Sequence, residues 1–492
     1  MELVIDIDRD PALPVYRRLA EAIREGILSG RFRPGDRMPP SRTLAATLRL
    51  ARNTVLEAYE QLVAEGYLAS RHGSGTFVAP QLPEAAFQPD HPAGQPGDTA
   101  PEPRARKLSA FAERVIGGEA PTYVQQPGDR AVFEFRYGTP SLDEFPVDAW
   151  RTLTRRVLDY PPRELLGYGP TEGLPQLREA LSRYLQRSRG VRCAADDLVI
   201  VNGSQQALDL AARILIDPGD TVVIEEPCYQ GARAVFAANG AALAPVRCDN
   251  QGLLVEALPT EARVAYVTPS HQFPTGAVMS ASRRLDLLQW AGRVGAVIVE
   301  DDYDSEFRYE GRPLTALQGL DRSGAVLYTG TLSKVLLPAL RLGYMVAPPG
   351  FQAAVRGAKW LTDRHVALLD QAVLALFIEE GHFERHLRRM RKVYQRRRSA
   401  LLQALRDSFG SRAIVMGAEC GMHVLVEIAG IDDAEGFIAA ARGRGVGLYS
   451  ARGYYTLAPP QGATFLMGYS SVSEEGIVEG VRRMAEVASG RH

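Results

Sequence analysis

GTLSKVLLPALRLGY, residues 330–344, is an apolar run interrupted by a few polar groups. Lys334 stands just behind Thr331 and Ser333, and Arg341 follows seven residues on. One amine, two small hydroxyls and a guanidinium in such surroundings read as an anion site built around a reactive amine. A lone lysine would pass for a solvated surface residue; these neighbours argue against that. Such an amine needs a scaffold of strand ends, a carboxylate and a helix N-terminus around it.

The flanking sequence supplies that scaffold. DLVIVNGS, TVVIEEP, VAYVTPS, AVIVEDD and AVLYTGT are short, β-branched runs bounded by turns, and they alternate with helical segments such as QQALDLAARIL and SRRLDLLQWAGRVG. Alternation of this kind predicts an α/β domain with a mostly parallel sheet, whose ligands sit at the carboxyl ends of the strands. Every polar cluster lies at such an end. NGSQQAL (202–208) runs through a glycine into a helix and suits a phosphate. EEPCYQG places Tyr229 after a proline turn, where a ring could stack on it or simply join the core. TPSHQFPTG (268–276) is a polar turn, and VEDDYDSEF (299–307) sets carboxylates and Tyr303 after an apolar strand.

Together the clusters fit pyridoxal 5′-phosphate. Its pyridine nitrogen needs a carboxylate to stay protonated, its aldehyde an amine, its phosphate a helix N-terminus with hydroxyls and a guanidinium, and its hydroxyl a phenol or imidazole. Asp301, Lys334, the Ser204 turn with Thr331 and Arg341, and Tyr303 supply these in turn.

Residues 1–79 have a different character. VYRRLAEAIREGILSG (15–30) puts Leu19, Ile23 and Ile27 on one helical face. Ser41 can cap a short helix, SRTLAATL, and RNTVLEAYEQLVAEG (52–66) forms a second amphipathic helix with Val55, Tyr59, Leu62 and Val63 inward. YLASRHGSGTFVA (67–79) reads as a hairpin with a glycine-rich tip. This is the order of a winged helix–turn–helix. Between Arg31 and Arg52 six arginines face one aspartate, although the whole chain has net charge −1. Arg42 and Arg52 suit phosphates and guanine edges, and Asn53 and Thr54 lie where a recognition helix reaches bases. His72 lies in the wing. A winged helix used only for protein contacts is the other reading.

PGDRMPPSRTLA, ARNTVLEAYEQLVAEGYL and RHGSGTFV resemble the GntR family of bacterial regulators over about residues 12–79. That resemblance implies that Arg42, Arg52, Thr54 and His72 contact DNA. From about 130 to 487, the order YGPTEGLPQLREAL, NGSQQAL, EEPCY, PTG, EDDY, GTLSK and RLGY resembles the fold-type I aminotransferases. This second resemblance implies a large domain with a mostly parallel sheet and a smaller α+β C-terminal domain. It also implies that Lys334 carries the cofactor as an internal aldimine, Asp301 meets the pyridine nitrogen, Tyr303 meets the ring hydroxyl and Tyr229 stacks on the ring. Ser204, Gln205, Thr331 and Arg341 would bind phosphate, with Ser333 also among the cofactor-binding residues. Tyr168 would reach the phosphate of a neighbouring subunit, so a homodimer is expected.

Two departures matter. Many aminotransferases read Asn-Pro-Thr-Gly where this chain has Phe273 before Pro274; His271 or Gln272 then replaces the asparagine, His271 for preference. The carboxylate-binding arginine common in the C-terminal domain is matched here by Leu466, which leaves Arg452 either to grip an effector carboxylate or to sit on a surface loop.

Head and body together, with TPSHQFPTG and EDDYDSEFRY, resemble the MocR family of transcriptional regulators. The resemblance implies a head-to-tail homodimer on paired DNA sites, controlled by the pocket. The effector is then an amine, an amino acid or pyridoxal phosphate itself, and the regulated genes serve amine metabolism or vitamin B6 synthesis. The alternative is a working aminotransferase with the head as a tether; for a regulator, partial transamination at most is expected.

Seven of residues 80–103 are proline, so a linker is expected over 80–128, between a head at 1–79 and a body at 129–492. ERHLRRMRKVYQRRRSALLQAL (384–405) can form one long helix with Leu387, Met390, Tyr394, Leu401 and Leu405 inward. Its basic remainder is expected as a solvated face, with DNA-backbone contact the alternative. The four cysteines show no metal-ligand or CxxC spacing, and no metal is expected. The acidic N-terminus and the lack of a long apolar run predict a cytoplasmic protein without a membrane span.

Overall fold

The computed structural model describes residues 13–71, 74–82, 107–118, 131–310, 314–460 and 462–490. It divides into two units, Met1–Arg106 and Lys107–His492.

In the first unit α1 (Val15–Leu28), α2 (Ser41–Leu48) and α3 (Arg52–Ala64) precede a hairpin of β1 (Leu68–Arg71) and β2 (Gly75–Val78). The spacing rule holds: Leu19, Ile23 and Ile27 of α1 pack on Val55, Tyr59 and Leu62 of α3, with Val63 at the margin. Ser41, expected as a cap, is instead the first helical residue of α2 and makes no capping bond, because extended Pro40 precedes it. Arg49, in the left-handed region at φ 54°, ends α2 and turns the chain into α3. The Tyr59 hydroxyl donates to the Pro39 carbonyl at 2.9 Å and ties α3 to the entry of α2.

The body is built on an eight-stranded sheet of β3 (Leu198–Val201), β4 (Thr221–Glu226), β5 (Ala242–Asp249), β6 (Gly252–Leu253), β7 (Val264–Val267), β8 (Val297–Asp302), β9 (Val326–Thr331) and β10 (Gly343–Val346). Their spatial order is β3-β10-β9-β8-β7-β4-β5-β6. The ladder from β9 to β5 is parallel, and β10 runs antiparallel between β3 and β9. Helices cover the sheet, so β3, β7, β9 and β10 are buried along their length. That burial is why these strands read as continuous apolar runs rather than alternating ones. A smaller antiparallel sheet joins β11 (Ala413–Met416), β12 (His423–Ile428) and β13 (Ala463–Gly468).

Strand alternation sorts the three acids that end β8. Glu300 accepts from the backbone N–H groups of Leu317 and Gln318, both at 2.8 Å. Asp302 is held by the buried Arg189 at 2.9 Å. Asp301 points the other way.

Within the segment expected as a linker, Ala110–Gly117 forms a helix of the body. The Ser109 hydroxyl caps it, and Arg114 donates to the carbonyl of Ala238 at 2.9 Å. The basic stretch lies in one helix, His382–Phe409, whose buried residues include all five expected apolar positions. Much of its charge is already paired: Arg396 with Glu474 at 2.8 Å, Arg398 with Glu310 at 2.5 Å, and Arg389 with Glu144. Among the described residues no helix is long and apolar enough to cross a membrane.

Candidate functional site

The carboxyl ends of β3, β4, β7, β8 and β9 lead into the polar turns singled out in the sequence. After β3 the chain passes Gly203 at φ 81° and enters α4 (Ser204–Leu215). No side chain caps α4, so its first N–H groups stay open to an anion. Arg341, itself left-handed at φ 51°, folds back and donates to the Asn202 carbonyl at 3.0 Å, beside that helix start. Gly343 allows this approach: a Cβ there would lie 2.9 Å from the Gly203 Cα. Gln205 is exposed and donates to the Gly231 carbonyl at 3.2 Å.

β9 ends at buried Thr331, whose hydroxyl accepts from the Ser333 N–H at 3.1 Å and shapes the turn that carries Lys334. The Lys334 Nζ donates to the Gly138 carbonyl at 2.9 Å. Burial pulls the Lys334 pKa below its usual value, opposed by Asp304 and Asp301. A larger fraction of this amine is therefore neutral and nucleophilic than for a surface lysine.

Asp301 pairs across the ladder with Thr329 and is 5% exposed. One carboxylate oxygen accepts from the Tyr266 hydroxyl at 2.9 Å, and the other, Oδ1, has no partner among the described residues. Burial pushes the Asp301 carboxyl up to about 6. A buried carboxylate oxygen without a donor is costly, and a cationic ring N–H would satisfy it. An amine, an open helix N-terminus with a guanidinium, and this oxygen form the donor set that pyridoxal phosphate requires.

His271 is 2% exposed, and its Nδ1 lies 2.8 Å from the Asp304 carboxylate and 3.0 Å from the Tyr303 hydroxyl. The Gln272 amide is spent on the carbonyls of Pro227 and Phe273, both at 2.7 Å. Tyr229 is half-buried and meets Phe273 edge-on at 5.7 Å. Leu466 of β13 is fully buried against Phe273, Leu425, Ala451 and Tyr454. Arg452 is exposed in the short turn Arg452–Tyr454, and Tyr168 stands 84% exposed beside Arg364.

Several neighbours were not anticipated. Tyr266, Asp304, His423, Glu225 and the Gly138 carbonyl all join the site. Asp304 lies inside the quoted VEDDYDSEF, three residues past Asp301, and Glu225 and Tyr266 lie inside the quoted EEPCYQG and VAYVTPS; His423 and Gly138 come from stretches not singled out. His271, Asp304 and His423 bring ligand-type atoms within 4.8 Å of one another. In the head, Arg42, Arg52 and Asn53 are exposed and Thr54 is half-buried at the start of α3; His72 lies outside the described residues.

Comparison with known proteins agrees with both halves. The family of bacterial regulatory proteins, gntR family, matches residues 15–78, and aminotransferase class I and II matches residues 132–462. A probable rhizopine catabolism regulatory protein MocR from Rhizobium meliloti is 38% identical over 97% of this chain and 94% of its own. The HTH-type pyridoxine biosynthesis transcriptional regulator PdxR of Corynebacterium glutamicum is 30% identical over 82% of each chain. Among solved structures, the α-aminoadipate aminotransferase LysN of Thermus thermophilus, complexed with N-(5'-phosphopyridoxyl)-L-leucine, has a TM-score of 0.70 at 30% identity. That match covers 78% of this chain and 97% of the enzyme.

Proposed function

The chain belongs to the MocR type of GntR transcriptional regulators, a gntR-family head joined to an aminotransferase class I and II body, and from that premise we propose that its body uses pyridoxal 5′-phosphate to sense a primary amine without an ordinary α-carboxylate. The head, residues 1–79, binds paired promoter sites through Arg42, Arg52, Asn53, Thr54 and His72. Residues 80–106 connect it to the sensing body, which begins at Lys107.

The observation that carries this reading is the contrast between Asp301 and Leu466. The reactive end of the pocket offers the buried Lys334 amine and an Asp301 oxygen with no donor among the described residues. The place matched to an aminotransferase's carboxylate-binding arginine is a fully buried leucine in an apolar cluster. A site that keeps its amine chemistry and lacks that grip suits an amine signal better than turnover of amino acids. Arg452 is the candidate for an acidic end of the effector. The longer match, over 97% of the chain, is to a probable rhizopine catabolism regulatory protein rather than to the pyridoxine biosynthesis regulator, which favours a catabolic signal over the vitamin itself.

When bound, the cofactor supplies an electrophilic carbon that exchanges one primary amine for another. Lys334 would hold it through its Nζ amine, whose pKa burial lowers. Asp301 would keep a proton on the ring nitrogen, and the α4 N-terminus with Ser204, Gln205, Thr331, Ser333 and Arg341 would hold the phosphate. Tyr229 would cover a ring face, and Tyr303, beside His271, would meet the ring hydroxyl. Tyr168, exposed with Tyr160 and Leu166, supports a second body packing there and a head-to-tail homodimer.

The test is fluorescence anisotropy of DNA from upstream of the protein's own gene, with and without pyridoxal phosphate and candidate amines, at two salt concentrations. Salt-sensitive, sequence-preferring binding that responds to an amine only when cofactor is present is expected. Sustained transamination with a keto acid, together with DNA affinity unchanged by Arg52→Ala, would overturn the proposal in favour of an enzyme.

A further inference from the structure

His271 Nδ1 faces two partners at once, the Asp304 carboxylate at 2.8 Å and the Tyr303 hydroxyl at 3.0 Å. A ring nitrogen carries at most one hydrogen. If Nδ1 is bare, Tyr303 donates to it, and Asp304 then needs a proton of its own to avoid facing a lone pair. If Nδ1 carries the hydrogen, it donates to Asp304, and the Tyr303 oxygen lies beside it as a second acceptor. Only the second arrangement leaves Asp304 ionised.

The surroundings favour that arrangement. Burial works against a charge on His271, yet Asp304, aided by Cys420, turns the balance and holds the imidazole well above its usual pKa. The ring is fixed between Tyr303, nearly parallel at 28° and 5.6 Å, and His423 at 33° and 4.9 Å. His423 adds no competing charge, because burial drives its pKa well below the ordinary value. Gly421 makes room for the ring: a Cβ there would fall 1.9 Å from His271 Cε1.

We propose that Asp304 is a positioning residue which, through His271, makes the Tyr303 oxygen an acceptor and leaves the phenol hydrogen to donate to a ring hydroxyl in the pocket between Asp301 and Lys334. The imidazole is then not a simple replacement for an amide contact. It sets the direction of the phenol O–H bond. The clustering of His271, Asp304 and His423 is the shape of a cation site as well. His271 Nδ1 and Asp304 Oδ1 are spent on each other, whereas His271 Nε2, Asp304 Oδ2 and His423 Nε2 have no partner among the described residues, so a bound metal ion is one of the outcomes tested below.

The inference rests on the reading of this pocket as a pyridoxal phosphate site, so the experiment separates the two. The dissociation constant for pyridoxal phosphate and the position of its visible absorption band are measured on the full chain, Asp304→Asn, Tyr303→Phe and the double variant. Asp304→Asn should weaken binding by about tenfold, the scale of one charge-assisted hydrogen bond, and move the band. In the Tyr303→Phe background the same change should cost less than about twofold, because its target is gone. Equal losses in both backgrounds, or a band that stays in place, overturn the positioning role. A stoichiometric metal ion that survives dialysis in the parent chain and is lost in Asp304→Asn also overturns it. Should Asp304→Asn fail to fold, His271→Gln carries the same comparison with the same two outcomes. Failure of the unaltered chain to bind pyridoxal phosphate overturns the cofactor reading itself, and this inference with it, before any substitution is made.

Discussion

Asp301 carries a carboxyl that the fold has buried, with the Tyr266 hydroxyl donating to one oxygen and Oδ1 without a partner among the described residues. Its pKa, pushed up to about 6 by burial, lies above the unfolded value of about 3.9. Between those limits the folded chain holds a proton that the unfolded chain has released. Stability is thus fully present below about pH 4 and is lost as pH rises through about 6, by roughly 3 kcal/mol in all for this group. Asp301→Asn removes the buried charge. In the cofactor-free protein it should raise the melting temperature of the body at pH 7.5, and the gain should shrink by pH 5. A gain of the same size at both values would show that the carboxyl is not strained by burial. Lys334→Ala tests the opposite face of the site: the visible band of added pyridoxal phosphate should disappear, while far-ultraviolet circular dichroism stays unchanged. Both residues were singled out because each sits in a contiguous phrase, EDDY and GTLSK, and the fold sets them close enough to interact. Asp304 was passed over in the same phrase because nothing local says that His271, more than thirty positions away, will meet it.

α3 shows how far periodicity reaches. Its inward residues were readable from spacing alone, since each apolar position returns to one face every three or four residues. The body strands were equally readable, because a sheet covered on both faces writes itself as unbroken apolar runs. The helix Ala110–Gly117 was not. It buries no residue fully, and it is held by the Ser109 cap and the reach of Arg114 to Ala238, a contact with no trace in local sequence. The charge of His382–Phe409 was read as a solvated face; Arg389 and Arg396 are exposed there and also meet acids from other elements, which local sequence did not show. The head has its own core around Leu62, which is fully buried. Leu62→Ala should therefore cost the head about 2–5 kcal/mol. Calorimetry should show the head transition shifted to lower temperature and the body transition in place. DNA affinity should fall while the pyridoxal phosphate spectrum is unchanged. A single transition that moves as a whole would contradict independent cores.

A chain with net charge −1 cannot be drawn to DNA by its total charge, so its affinity has to come from where the arginines stand. Each phosphate contact contributes close to one unit to the slope of log affinity against log salt, and Arg52→Ala should lower that slope by about one. Control by an effector is a separate matter and obeys a stricter rule. If an amine in the body changes affinity for DNA by some factor, bound DNA must change affinity for the amine by the same factor, since both paths close one thermodynamic cycle. The coupling can be no larger than the amine's preference for one arrangement of the protein over the other. Typical couplings of about 1–3 kcal/mol correspond to roughly 5- to 150-fold. Amine affinity, read from the cofactor's absorption spectrum, should therefore shift on adding operator DNA by the factor found in the anisotropy titration. In Lys334→Ala the amine has no covalently held cofactor to act on, and both factors should collapse to one. Equal DNA affinity with and without the amine, in a protein whose spectrum shows the amine bound, would mean that pocket chemistry and DNA reading share a chain without sharing an equilibrium.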